Sequence, residues 1–205
     1  LEEVDMPNVA PLPRSELSEF EPIFQSIESL MGFVPNSLLT LGRSPEILRG
    51  FGALSGAVLG HCSIEPALRQ LVAFVASSAA GCSYCQAHTS HGAAKIGVAP
   101  EKLESAFSFE TSPLFDERER AALRLARDAA LQPNATTPAH FAALRRHFDE
   151  RQIVDLVAIV SLFGWLNRWN DTMATALEAP ALRFGERHLA AAGWSSGKHG
   201  DGSKA

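Results

Sequence analysis

An all-α fold, a compact bundle of about eight helices, is predicted by three observations. Apolar residues recur at steps of three and four through most of the chain. Prolines and capping residues mark one helix start after another. No stretch of four or more residues alternates in the manner of a half-buried strand, and no Asn-Gly or Asp-Gly turn joins two β-branched runs. The 205 residues suffice for one domain of ordinary size.

Residues 1–14, with Pro7, Pro11 and Pro13, read as an extended arm that drapes over the body or reaches a neighbouring subunit, ahead of a single domain over 15–194. Helix signals begin at Pro22, where Phe20, Ile23, Phe24, Ile27, Leu30 and Met31 form one stripe that Gly32 closes. Pro35 opens a short element ended by Gly42. Ser44 and Pro45 supply an N-cap and a first-turn proline for a helix with Ile47, Leu48, Phe51, Leu54 and Val58 inside. Its Gly50, Gly52, Gly56 and Gly60 cost helix propensity and point to close approach of another backbone.

Ser63 and Pro66 start a helix whose inner stripe is Leu68, Leu71, Val72, Val75, Ala76 and Ala79, and which leads to the segment 81–98. Pro100 begins a short piece running to Phe107. Asp116 with Glu119 forms a capping box for a helix carrying Leu123, Leu125, Ala126 and Ala130, and Thr137-Pro138 starts the next, with Phe141, Leu144 and Phe148 inward. A second box, Asp149 with Gln152, opens the longest apolar helix, from Ile153 to about Ala176. Pro180 breaks it, and a weaker segment with Leu182, Phe184 and Leu189 follows. Residues 195–205, small, polar and Gly-rich, are expected to be a disordered tail.

Composition narrows the function classes. The longest apolar run, Ile153–Leu166, carries Asp155 and falls short of the ~20 residues a membrane helix needs. The acidic, Pro-rich start lacks the basic flank and apolar core of a signal peptide, so a cytoplasmic location is expected. Net charge is −5 with Lys and Arg scattered among acids, which argues against nucleic acid and anionic membrane as partners. Three cysteines, two of them in C-x-x-C, do not make a secreted disulfide framework; they point to redox chemistry or metal.

The chemistry concentrates in Gly81–Val98, GCSYCQAHTSHGAAKIGV, which holds Cys82, Cys85, His88, His91 and the only tyrosine of the chain. Gly97 sits where a helix end favours a left-handed residue. Cys82 then lies in the first turn, where unpaired backbone N–H groups and the helix dipole stabilise a thiolate. At about 100° per residue, Cys82, Cys85, His88 and His91 spread over roughly half of the helix circumference. Four zinc ligands must converge on one point, so zinc is disfavoured. Neighbouring pairs can meet: Cys82 with Cys85 as a dithiol, and Cys85 with His88 as a thiol and its base. Cys62 reads as a small buried filler and His91 as an exposed helix residue. The polar run Asn167 to Asp171 reads either as the helix leaving the core with an Arg168–Asp171 surface pair or as the lining of a pocket.

G-C-S-Y-C-Q-A-H-T after the helix LRQLVAFVASSAA resembles the alkylhydroperoxidase D-like family of the carboxymuconolactone decarboxylase superfamily, and LVAIVSLFGWLNRWND looks like the Asn-Arg helix of its peroxidase-related branch. The resemblance runs from about Phe33 to Glu178. It implies an all-helical, cofactor-free thiol peroxidase that forms homo-oligomers (dimers, trimers or hexamers), reduces hydroperoxides and is recharged by a dithiol or lipoylated-protein donor. It also implies Cys85 as the attacking thiol and Cys82 as its resolving partner, opposite to the order the helix dipole favours, with His88 beside them. Two positions depart from the family pattern: the usual acid twelve residues before the first cysteine is Gln70, and the usual histidine seven residues after it is Thr89. Two alternatives stand beside the peroxidase: a decarboxylase or isomerase on a small lactone or carboxylate, and a non-enzymatic redox-sensing oligomer.

Overall fold

The computed structural model describes residues 7–200, and all that follows concerns those residues. Among them lie ten α-helices and no strand: α1 (Glu21–Met31), α2 (Asn36–Leu41), α3 (Pro45–Ser55), α4 (Pro66–Ala79), α5 (Ser83–Lys95), α6 (Pro100–Glu104), α7 (Glu117–Ala130), α8 (Pro138–Leu144), α9 (Glu150–Met173) and α10 (Ala179–His188). Short 3-10 turns cover Arg14–Phe20, Ser105–Ser108, Ala190–Ala192 and Gly197–His199, and one π turn, Gly56–Gly60, prolongs α3.

The centre is α4, which packs against α5, α7 and α9. Its run from Leu71 to Ser77 is buried on all sides, as a helix surrounded by helices requires. Each large side chain so buried contributes about 1.5–3 kcal/mol. Both expected capping boxes are present: Asp116 with Glu119 opens α7, and Asp149 with Gln152 opens α9. Gly32 and Gly97, at φ +89° and +92°, stop α1 and α5 as the sequence predicts. A smaller core of Leu17, Phe20, Phe24, Leu38, Leu41 and Leu48 joins α1, α2 and α3. The described part of the arm, residues 7–14, lies over the body: Asn8 N–H donates to Met173 O (2.9 Å) and Leu12 N–H to Leu39 O (3.2 Å), while residues 1–6 of the expected arm lie outside the described residues.

Three sequence expectations need correction. Ile23 and Leu30 on α1 and Ile47 and Leu54 on α3 are exposed, because each helix has one neighbouring layer where the periodic stripe is wide enough for two. The α3 glycines meet no other backbone: a Cβ at Gly50, Gly56 or Gly60 would face open space, and one at Gly52 would touch only the Ile23 side chain. The third correction concerns the supposedly disordered tail, which is docked through Gly200. Just ahead of it Trp194 is buried with Nε1 donating to Ser83 O (3.2 Å), and within it Lys198 pairs with Asp171 (3.0 Å) and His199 O accepts Leu177 N–H (2.9 Å). Small polar residues are held here by backbone bonds and one buried imidazole, a mode that composition does not reveal. The rest of that tail, residues 201–205, lies outside the described residues.

Candidate functional site: a buried dithiol beside a C-terminal histidine

The dithiol sits at the start of α5. Gly81, at φ +76°, makes the turn out of α4 that leaves Cys82 extended at the N-cap. There the Cys82 sulfur accepts the Cys85 N–H at 3.5 Å, the position a Ser or Asp oxygen usually takes. Both thiols are free and buried. The Cys82 thiol is held down to about 5, chiefly by a hydrogen bond from the Cys85 thiol, with His199 and the Cys85 N–H adding to it against the effect of burial. Burial pushes the Cys85 thiol up, and the facing Cys82 sulfur pushes it further, although Asn170 Nδ2 donates to its sulfur at 3.4 Å. The two thiols are therefore pushed apart, Cys82 toward the thiolate and Cys85 toward the thiol.

His88 is not the partner of Cys85. The three-residue step rotates it toward Glu178, whose Oε2 lies 2.5 Å from Nε2. Glu178 Oε1 also accepts Tyr84 OH at 3.0 Å and the Asn36 N–H at 2.5 Å, and the Tyr84 and His88 rings stack at 4.1 Å. Burial works to raise the Glu178 carboxyl, but His88 and the N–H groups of Asn36 and Glu178 itself hold it below the usual carboxylate range. This cluster ties α2, α5 and the segment before α10 together. His91 is half-buried between Phe33 and Phe184, not exposed, and burial lowers its proton affinity. At the departed family positions, the Gln70 side chain lies 3.5–3.6 Å from where a Cβ on Gly92 would stand, and Thr89 Oγ1 donates to Cys85 O at 2.7 Å.

The imidazole beside the dithiol is His199, which sequence reading placed in the tail. It is 2% exposed, its Nδ1 is 2.9 Å from Thr175 O, its ring lies 5.8 Å from that of Tyr84, and it helps to hold the Cys82 thiol down. Glu178 was equally missed, and Asn170 was marked only as part of the polar run that could line a pocket, without its contact to Cys85. Each comes from a segment far away in sequence, and only packing brings them together. Among the described residues no three His, Cys, Asp or Glu side chains converge as metal ligands.

An open cavity of about 1150 Å³ lies along α9 and the turn after α7. Trp165, Asn167, Arg168, Trp169 and Asp171 line it, together with Ala79 and Ala80, which immediately precede the Gly81 turn. Phe51, Trp165 and Trp169 stack in series, at 4.9 and 5.4 Å. Asn167 is buried with neither side-chain polar atom hydrogen-bonded. The Arg168–Asp171 surface pair is not formed, since Asp171 pairs with Lys198 instead.

An all-helical body with a capped dithiol at its centre defines a class, and comparison with known proteins gives the family. The Carboxymuconolactone decarboxylase family profile matches residues 45–128. The uncharacterized protein YdfG of Bacillus subtilis is 32% identical over 110 residues, covering 53% of this chain and 72% of that one. The uncharacterized protein YnjA of Escherichia coli is 30% identical over 110 residues, and the match spans only 60% of its length. The crystal structure of the debrominase Bmp8 superposes with a TM-score of 0.82 at 37% identity, covering 87% of this chain and 96% of that one. A Cys-to-Ala variant of Bmp8 in complex with 2,3,4-tribromopyrrole gives 0.83 at 36%, with the same coverage. An uncharacterized peroxidase-related protein from Silicibacter gives 0.71 at 26%, covering 85% and 91%. The chain belongs to the carboxymuconolactone decarboxylase family and has the alkylhydroperoxidase D-like fold.

Proposed function

We propose that this protein is a dithiol oxidoreductase that reduces small hydroperoxides. The observation that carries it is the buried dithiol at the N-cap of α5, where the Cys82 sulfur accepts the Cys85 N–H and the two thiols are pushed in opposite directions, Cys82 down and Cys85 up. The Cys82 thiolate attacks the outer peroxide oxygen, the O–O bond breaks, and the alkoxide leaves as an alcohol once protonated. The Cys82 sulfenic acid then condenses with the Cys85 thiol, forming the disulfide and releasing water. An external dithiol or lipoylated protein returns two electrons. The attacking and resolving roles are the reverse of those the family resemblance implies, and the electrostatics favour this order. His88, paired with Glu178, serves the frame of the site and does not take the thiol proton.

Loss of free thiols on mixing reduced protein with cumene hydroperoxide tests this, with Cys82→Ser as the control. Thiols that stay reduced over hours would sink the peroxidase reading.

The likeness to a debrominase and the aromatic-walled cavity favour a second reading, reductive dehalogenation of a small haloaromatic. Here the same thiolate takes the halogen, the ring carbon takes a proton, and Cys85 displaces halide to form the disulfide. Bromide release from a brominated pyrrole, with no reaction toward peroxide, would select it. Activity toward a small lactone that survives Cys82→Ser would instead select the decarboxylase alternative. Ile47, Leu54, Val154, Val157 and Trp165 leave apolar surface on α3 and α9, which supports a homo-oligomer; light scattering reads its mass. No helix among the described residues is long and apolar enough to cross a membrane.

A further inference from the structure

We propose that His199 is the acid–base residue of this site: it takes the Cys82 proton and delivers it to the departing oxygen. This rests on the dithiol reading above and adds to it the group that moves the proton.

The geometry fixes the tautomer. Thr175 O can only accept, so the Nδ1 that lies 2.9 Å from it carries the hydrogen. In the neutral ring Nε2 then holds a bare lone pair. That nitrogen is buried and has no hydrogen-bond partner. A buried ring nitrogen left unsatisfied is costly, so a donor is missing there. The ring stands at the first turn of α5, 5.8 Å from the Tyr84 ring, and it is one of the groups that hold the Cys82 thiol down, so that thiol is a proton source for the vacancy. Transfer yields a thiolate–imidazolium pair. The other ionisable groups facing the ring are Asp171, with Oδ1 3.7 Å from Nε2, and Tyr84; Lys198 precedes it and neutralises Asp171. Asp171 stabilises the imidazolium as it forms, as the third member of a nucleophile–base–orienter set does.

The proton balance closes. Cys82 S–H gives its proton to Nε2. The thiolate attacks the peroxide, the O–O bond breaks with its electron pair on the alkoxide, and Nε2–H protonates that alkoxide. His199 ends neutral, Cys82 ends as a sulfenic acid, and Cys85 resolves it with loss of water.

The test uses two substitutions that keep different halves of the ring. H199N retains a donor near Nδ1 for Thr175 O and hence the docked tail; H199Q retains an amide near Nε2 but cannot carry a proton. Thiolate ultraviolet absorbance is followed against pH in reduced wild type and both variants, with Cys82→Ser as the blank, and single-turnover reaction with cumene hydroperoxide is timed alongside. The Cys82 titration should move up by at least about one unit in both variants, with reaction at mildly acidic pH about tenfold slower for each unit. Amide protection of Leu177 should persist in H199N and shows that the tail is still docked. A docked H199N whose Cys82 titrates as in wild type overturns the proposal. If the titration moves but wild type leaves peroxide untouched, the proton assignment to His199 stands and the peroxidase reading falls.

Discussion

Glu178→Gln isolates the energetic weight of the cluster that frames the site. The Glu178 side chain is 10% exposed and accepts three donors from separate segments: the Asn36 N–H, Tyr84 OH and His88 Nε2. Glutamine keeps the shape, removes the charge, and turns one accepting corner into an NH2 that faces a donor. Hydrogen bonds to charged groups contribute about 1.5–3 kcal/mol each, and breaking a buried pair costs about 3–5 kcal/mol. Because the Tyr84 hydroxyl can rotate to accept, the loss expected is about 3 kcal/mol, or roughly 6–12 °C in Tm for a chain of this size. The pH dependence follows from the direction of the shift. A carboxyl held below its ordinary value stabilises the fold fully above the unfolded value of about 4.3, and that contribution is lost as pH falls through the lower folded value. The deficit of the variant should therefore be complete at neutral pH and shrink in acid. Urea unfolding followed by far-ultraviolet circular dichroism at several pH values reads it. A variant within about 0.5 kcal/mol of wild type at neutral pH would refute the view that this cluster is a charged tie.

Three further outcomes are expected. Gly185→Ala would place a Cβ 2.6–2.8 Å from the Trp194 ring, which Ser83 O holds in place; stability should fall by about 1–3 kcal/mol, and limited proteolysis should begin to cut after Trp194. Asp149→Ala removes the side-chain acceptor for Gln152 N–H at the start of α9 and should cost about 1 kcal/mol in urea unfolding. With the Cys82 thiol at about 5, its reaction with peroxide should be nearly flat from about pH 8 to about pH 6 and fall by half near pH 5 in stopped-flow traces. An ordinary thiol near 8.5 would instead slow about tenfold per unit below that value.

The helices were legible because their signals are local. Proline at the start of α3, α4, α8 and α10, the two carboxylate capping boxes and the glycines after α1 and α5 each act within a few residues, so the chain carries them in plain order. The dithiol was legible for the same reason, since Cys82 and Cys85 are neighbours on one helix start. The partners of the dithiol were not. His199 comes from a segment whose composition resembles a loose tail and Glu178 follows the end of α9, with nothing in their own surroundings to mark them; Asn170 belongs to a polar run that does stand out in an apolar helix, but the run does not say that it meets Cys85. His88 shows the converse. Its spacing from Cys85 is right for contact, yet a buried carboxylate from a distant segment offers it a stronger partner. Exposure on α1 and α3 was misjudged because a helical period reports which face is apolar and says nothing about how much of that face another layer covers.

In the proposed reaction the Cys82 sulfur is the attacking atom, and it is also the acceptor that closes the first turn of α5 through the Cys85 N–H. A sulfur tied into a disulfide is a poorer acceptor than a thiolate, so oxidation would release that N–H from its cap. The redox state of the pair is thereby written into the fraying of a helix end, where hydrogen exchange at the Cys85 amide would be slow in the reduced protein and faster once the sulfurs are joined. Under the proposed dithiol cycle, the looseness of this turn distinguishes the spent form from the ready one.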